Sequence, residues 1–321
     1  MNNSYCPLPF DTVYSSNKGS YGLCCWAEDK SLGSQKDISP FDFFSSKEMD
    51  EIRKKMLAGE KISLCSLCYK LEKSVGHSPR TRFLKERQPT KVEKVNLRIR
   101  NFGNHCNFAC VMCLPHNSTT RAKELKDIGY YDNRWGEYPG SSYSQYELFK
   151  NDMIKNADRI GRLTITGGEP FTIPKFWKFL LEDMPKDKAK NIALWIETNL
   201  STLSWKNYTF KDIVDRYKKV ELGVSADHYG DKLAFIRYPI NVKEFESNLI
   251  TYKKWIYHIN LAVQILNVFD LKEIKEYYKK NFDTDVQTFS TVMESTSEDK
   301  KWNVLSIRNI NEDDKQKFME K

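Results

Sequence analysis

The residues best suited to chemistry are three cysteines in one short stretch, Cys106-Asn107-Phe108-Ala109-Cys110-Val111-Met112-Cys113. Their spacing is C-x3-C-x2-C, and Leu114-Pro115-His116 follows instead of a fourth cysteine. Three thiolates can hold three irons of a [4Fe–4S] cluster and leave the fourth iron open to a small molecule. An electron carrier normally closes its cluster with four cysteines. Two plainer readings compete: a zinc site completed by His116, or buried apolar thiols with no ligand.

A second stretch, Leu163-Thr164-Ile165-Thr166-Gly167-Gly168-Glu169-Pro170, reads as a strand running into a tight turn. Gly167 and Gly168 lack a Cβ and so allow close approach of a ligand. Glu169 offers an acceptor for an ammonium group, and Pro170 stiffens the turn. On its own, Gly-Gly-Glu-Pro would be an ordinary turn.

The other five of the eight cysteines, Cys6, Cys24, Cys25, Cys65 and Cys68, lie in the first third of the chain. Cys65-Ser66-Leu67-Cys68 is a C-x2-C knuckle of the metal-binding type. A four-cysteine zinc site and an iron–sulfur cluster both suit it. Nearby, His77 and Arg80 belong either to a linker helix with a basic face or to a substrate site.

These groups need elements to hold them. Strand-like runs occur at 95–100, 162–166, 192–197, 219–225, 260–266 and 285–290, with helical patterns between. Ser45-Ser46-Lys47-Glu48 reads as a capping box, with Met49, Ile52, Met56 and Leu57 on one face and Gly59 as the stop. A helix is expected from about Ser118 to Asp127. Pro174 suits a first turn, with Phe176, Phe179 and Leu180 inward. Asn241 caps a helix carrying Phe245, Leu249 and Tyr252, and Asp270 opens one carrying Leu271, Ile274 and Tyr278. Ile213, Val214 and Tyr217 mark another. Repeated β–α units imply parallel strands with right-handed crossovers. The fold class expected is α/β: a partial (β/α)6 TIM-like barrel with a small, irregular N-terminal iron–sulfur module. Residues 1–90 form that module, 91–290 the barrel and 291–321 a tail sealing it. The region between Gly129 and Asn156, with Tyr130, Tyr131, Trp135, Tyr138, Tyr143, Tyr146 and Phe149, is either a surface loop or a lid over the barrel mouth.

The chain of 321 residues, 40% hydrophobic and 29% charged, is globular in composition. No apolar run reaches the roughly 18 residues of a membrane span. No signal peptide is expected from Met1-Asn2-Asn3-Ser4-Tyr5, so a cytoplasmic location is. Cysteines in such a setting argue for metal or redox chemistry over structural disulfides. The net charge of +8 permits an anionic partner without requiring one, and nucleic acid is possible but not favoured.

The cysteine motif after one strand and Gly-Gly-Glu-Pro after the next, in that order, resemble the radical S-adenosylmethionine (SAM) superfamily. The resemblance favours the cluster over zinc at Cys106, Cys110 and Cys113. It implies that SAM binds the open iron through its amino and carboxylate groups. It implies reductive cleavage to methionine and a 5′-deoxyadenosyl radical that takes a hydrogen atom from a substrate. Met112 would lie near the adenine, and Gly167, Gly168, Glu169 and Pro170 beside the SAM amino group. Thr198 and Asn199, in Glu197-Thr198-Asn199-Leu200-Ser201, resemble the element beside the ribose. Ser225, in Ser225-Ala226-Asp227, would contact SAM, and Arg237 would pair with its carboxylate, oriented by Asp227. Gln264 and Leu266 are candidates for the adenine edge. Cys6, Gly19, Cys24, Cys65 and Cys68 resemble the SPASM or twitch auxiliary-cluster module, placed here before the barrel instead of after it. That layout implies a second [4Fe–4S] cluster, with Cys24 favoured over Cys25 and the spare a buried thiol. A reducing partner such as flavodoxin or ferredoxin is implied, with a peptide or protein substrate. The alternatives are a small molecule such as a sugar or nucleotide, nucleic acid, or a cluster-bearing binding protein without turnover.

Overall fold

Seven strands run parallel in one sheet, and the sheet does not close. The fold is that of a computed structural model describing residues 4–16, 18–27, 31–86, 93–130 and 146–290, with Leu305, Ile310 and Asp314 beyond them. The strands are β1 (Thr12–Ser15), β2 (Ser20–Gly22), β3 (Gly33–Ser34), β4 (Val95–Ile99), β5 (Ile160–Ile165), β6 (Ala193–Thr198), β7 (Ser204–Trp205), β8 (Tyr208–Thr209), β9 (Lys219–Ser225), β10 (Ile256–Val263) and β11 (Val286–Ser290). The nine-stranded sheet has the order β11-β10-β9-β6-β5-β4-β1-β2-β3, and β7 pairs with β8 apart from it.

The six expected strands follow one another across this sheet in chain order, as in a barrel. Their starts differ little from expectation except at β10, which begins at Ile256 instead of 260. The difference from expectation is β1. It pairs parallel with β4, Thr12 opposite Asn96 through Ser15 opposite Ile99. The first third of the chain therefore extends the same sheet, while β11 and β3 remain as edges.

Thirteen helices are described: α1 (Leu8–Asp11), α2 (Pro40–Phe44), α3 (Lys47–Leu57), α4 (Ser66–Val75), α5 (Pro79–Glu86), α6 (Thr119–Asp127), α7 (Tyr146–Lys155), α8 (Pro174–Lys178), α9 (Lys186–Ala189), α10 (Phe210–Arg216), α11 (Gly230–Ile236), α12 (Val242–Tyr252) and α13 (Leu271–Phe282). Their ends follow local chemistry. Ser118 Oγ accepts from Arg121 N to start α6, and Asn241 accepts from Glu244 N to start α12. At α3 the cap is Ser46, accepting from Met49 N, and not Ser45, whose N–H ends α2 on the Phe41 and Asp42 carbonyls. Met49 and Met56 are fully buried there, whereas Leu57 is 62% exposed, one position too far round the helix. Asp270 does not cap α13 with its side chain; it accepts from His228 and Lys232.

Strand alternation decides where the site lies. Leu97, Ile99, Leu163, Ile165, Leu194, Ile196, Leu222 and Val224 face the helices at 0–2% exposure. Each contributes on the order of 1.5–3 kcal/mol by burial. The opposite face carries Asn96, Arg98, Arg162, Thr164, Trp195 and Glu197, all half-buried. Residues 131–145 and most of the tail lie outside the described residues. The aromatic residues that follow them are no lid: Tyr146 and Phe149 are buried against Phe102, with Phe179 packed on Phe149. No described helix is long and apolar enough to cross a membrane.

Candidate functional site

The loop after β4 holds Cys106, Cys110 and Cys113 by its neighbours' backbone. Thr120 Oγ1 donates to Cys106 O at 2.5 Å and Ser118 Oγ to Phe108 O at 2.7 Å. Ala109 N donates to Tyr238 O at 2.7 Å and Val111 N to Ile236 O at 2.9 Å, tying the loop to the end of α11. Cys106 and Cys110 are buried, Cys113 is half-buried, and none is in a disulfide. Burial pushes the Cys106 thiol up to about 12 and raises Cys110 and Cys113; the charges of Cys106 and Cys110 act on Cys113. Arg237 opposes the shift at Cys110, its Nη1 standing 3.9 Å from Cys110 Sγ.

Gly-Gly-Glu-Pro docks onto this loop. Glu169 N donates to His105 O at 2.7 Å. A Cβ on Gly168 would lie 2.1 Å from His105 O, and Gly168 has a φ of +54°. The close approach that needs glycine is thus to the chain's own backbone beside Cys106. Gly167, φ +98°, faces the Arg100 side chain. The Glu169 carboxylate, 1% exposed, accepts from Phe171 N at 3.2 Å, Thr198 Oγ1 at 2.8 Å and Asn199 N at 2.5 Å. Burial, only partly offset by these donors, pushes it up to about 7. A carboxylate has about four acceptor positions, so one remains.

Thr198 and Asn199 end β6. Leu200 follows with φ +60°, its N–H on Thr198 Oγ1 at 2.9 Å. Asn199 Nδ2 donates to Asn107 Oδ1 at 3.0 Å, and Asn107 Nδ2 donates to Ser201 Oγ at 2.9 Å. Asn107 thus joins the cysteine loop to the β6 turn, a role the motif spacing alone did not single out. Ser225 ends β9 opposite Asn260 of β10. Asp227, fully buried, pairs with Arg237 Nε at 2.7 Å and accepts from Ala262 N at 2.7 Å. Burial raises its carboxyl, and Arg237 opposes that. Met112 lies half-buried against the core, and Pro170 is buried at the turn. Gln264 is 1% exposed with neither side-chain atom hydrogen-bonded.

The N-terminal cysteines form a second group. Cys6, Cys65 and Cys68 are buried, and the charges of Cys65 and Cys68 act on Cys6. Burial raises Cys24 most, with Cys25, Cys6 and Cys65 adding to it. Cys25 is exposed, contrary to the buried spare expected, and lies by Arg98. Arg80 turns inward instead of onto an exposed basic face. It donates from Nε to Glu72 Oε1 at 2.9 Å, from Nη2 to Glu72 Oε2 and from Nη1 to Tyr5 O at 2.7 Å, 6% exposed beside the cysteines.

Among the described residues no three His, Cys, Asp or Glu side chains are grouped as ligands of one metal ion would be. A cluster spreads its cysteines over several irons. Two groups of mostly buried, unbridged thiols whose charges act on one another are the donor chemistry such clusters take.

No protein-family model matches the sequence, and no curated protein matches it significantly. Among solved structures, the chain is similar to native anSMEcpe with bound AdoMet, at TM-score 0.45 and 18% identity over 60% of this chain and 51% of that one. It is similar to native anSMEcpe with AdoMet and the Cp18Cys peptide, at TM-score 0.43 and 17% identity over 60% and 50%. It is similar to Streptococcus suis SuiB bound to S-adenosylmethionine, at TM-score 0.38 and 14% identity over 86% and 49%. The chain spans about half the length of these structures.

Proposed function

We propose that this chain is a radical SAM enzyme. One observation carries the reading. Gly168–Glu169 packs on His105, directly before Cys106, while the Glu169 carboxylate bonds Thr198 and Asn199. These contacts, at the C-terminal ends of parallel strands where such folds hold their chemistry, support reading the cysteine loop, Gly-Gly-Glu-Pro and Thr198-Asn199 as one site.

Cys106, Cys110 and Cys113 would hold a [4Fe–4S] cluster with one iron open. Glu169 would offer its remaining acceptor position to the amino group of SAM, beside Gly167, Gly168 and Pro170. Arg237, held by Asp227, would meet the SAM carboxylate. Thr198, Asn199, Ser225 and Met112 would border the nucleoside. When bound and reduced, this pair of cofactors supplies a 5′-deoxyadenosyl radical able to take a hydrogen atom from a substrate. The protein's share is to orient both and keep water out. Residues 1–90 would carry a second, auxiliary [4Fe–4S] cluster on Cys6, Cys24, Cys65 and Cys68, residues 91–290 the SAM site, and 291–321 a tail. A peptide is the favoured substrate, a small molecule the alternative, and a flavodoxin or ferredoxin the electron source.

The test is iron and zinc per chain in anaerobically reconstituted protein, followed by SAM cleavage under reducing conditions. About eight irons, as two clusters require, with 5′-deoxyadenosine formed, support the whole reading. About four irons and one zinc turn the N-terminal site into a structural zinc module. Absence of 5′-deoxyadenosine from cluster-loaded protein overturns the enzymatic reading.

A further inference from the structure

Arg98 sits in the middle of β4, in register with Tyr14 of β1 and Thr164 of β5. Its side chain leaves the sheet on the polar face. It makes an ion pair with Glu197 Oε1 at 4.0 Å, beyond hydrogen-bond range, and Cys25 acts on it as well. Among the described residues its guanidinium has no hydrogen-bond partner. The other arginines around the site are engaged: Arg80 with Glu72, Arg100 with Asn117, Arg162 with Glu221 and Arg237 with Asp227.

Glu197 is committed elsewhere. It accepts from Trp195 Nε1 at 2.8 Å and from Asn260 Nδ2. Arg98 and Glu197 keep 33% and 21% of their side-chain surface open. The groups that act on it come from both parts of the chain: Cys25, Tyr14 and Cys24 from the first third and Glu197 from β6. Arg98 has an ion pair with Glu197 but no hydrogen bond, unlike Arg80, and donors of a half-buried cation left unbonded are costly. Its donors, unbonded among the described residues on a side chain 33% exposed, suit a planar anion from outside the chain.

We infer that Arg98 anchors a carboxylate of the substrate, which narrows the reading above to substrates bearing an acidic group. The inference rests on that reading for its placement beside the proposed SAM site. A carboxylate fits better than a phosphate. It matches the guanidinium fork in a bidentate pair, and a single charge is repelled less by Glu197 and the neighbouring cysteines.

The test uses reconstituted full-length protein and a pool of acetylated, amidated heptapeptides. Each has a central Asp, Glu, Asn, Gln, Lys or Arg in an Ala/Gly background. Retention is read by equilibrium dialysis and mass spectrometry. Wild type is expected to retain the Asp and Glu peptides roughly tenfold over Asn and Gln, as a charge-assisted contact gives. Arg98→Gln should erase that preference and Arg98→Glu should turn it toward Lys and Arg. Glu197→Gln, which leaves Arg98 in place, should sharpen it. Equal retention by wild type, or a preference that persists in Arg98→Gln, overturns the inference. Iron loading and SAM cleavage by the wild type judge the wider reading separately.

Discussion

Glu197 and Asn260 meet across a strand that has no side chain to part them. Glu197 is on β6, Asn260 on β10, and β9 runs between with Gly223 at the crossing. A Cβ on Gly223 would stand 2.4 Å from Glu197 Oε2 and 2.8 Å from Asn260 Nδ2. The absence of one methyl group therefore lets an acid and an amide pair in the polar face, close to Arg98. Burial holds the Glu197 carboxyl above the usual carboxylate range, with Arg98 and Trp195 opposing.

Gly223→Ala is expected to destabilise the protein by about 1–3 kcal/mol, the usual cost of overpacking. Its backbone is not left-handed, so the cost comes from the clash alone. Adding Glu197→Ala should recover part of the loss in urea unfolding, because the closer of the two atoms struck is removed while Asn260 Nδ2 stays. No recovery would place the cost elsewhere.

Gly168→Ala should be far worse than Gly76→Ala. Both have positive φ, +54° and +76°, but a Cβ at Gly76 meets nothing within 4 Å. Gly76→Ala should cost on the order of 1 kcal/mol through backbone strain. Gly168→Ala must also push the His105 carbonyl away, displacing the segment that leads into Cys106. Iron content after reconstitution separates the two: unchanged at Gly76, lowered at Gly168.

The cysteine groups are expected to load independently. Cys106→Ala should abolish 5′-deoxyadenosine formation while leaving the N-terminal iron in place. Cys65→Ala should remove about one cluster's worth of iron and leave SAM binding intact. Iron content unchanged by Cys65→Ala would rule out the auxiliary cluster.

Removing Arg237 leaves Asp227, 0% exposed, without its ion pair. Arg237→Ala should therefore cost roughly 3–5 kcal/mol. The double variant Arg237→Met, Asp227→Asn should regain much of that, since it no longer buries a lone charge. Thermal unfolding of the three proteins is the measurement.

Glu169 gives a pH signature in metal-free protein without SAM. Its carboxyl is raised by burial from 4.5 to about 7. A raised pKa means the folded state holds the proton more tightly, so stability is full below about 4.5 and is lost as pH rises through about 7. The stability of wild type relative to Glu169→Gln should fall across that window by up to roughly 3 kcal/mol, at about 1.4 kcal/mol per unit. A flat difference would show that the carboxyl is not shifted.

The sequence by itself determined the parts that depend on local pattern. Alternating Val, Ile and Leu set the parallel strands, because the same side chains must face the helices at every second position. Ser118, Pro174 and Asn241 set helix starts through their own capping groups or fixed φ. The cysteine spacings and Gly-Gly-Glu-Pro named the candidate site. Tertiary structure alone decided what depends on groups distant in the chain. It placed β1 beside β4, since four residues of strand carry too little pattern to name a partner. It put Leu57 in solvent and Tyr146 and Phe149 in the core, because their surroundings come from elsewhere in the chain. It turned Arg80 inward to Glu72 and left Arg98 without a hydrogen bond. Charge alone cannot tell those arginines apart; the difference is a carboxylate within hydrogen-bond distance, which only the folded chain supplies.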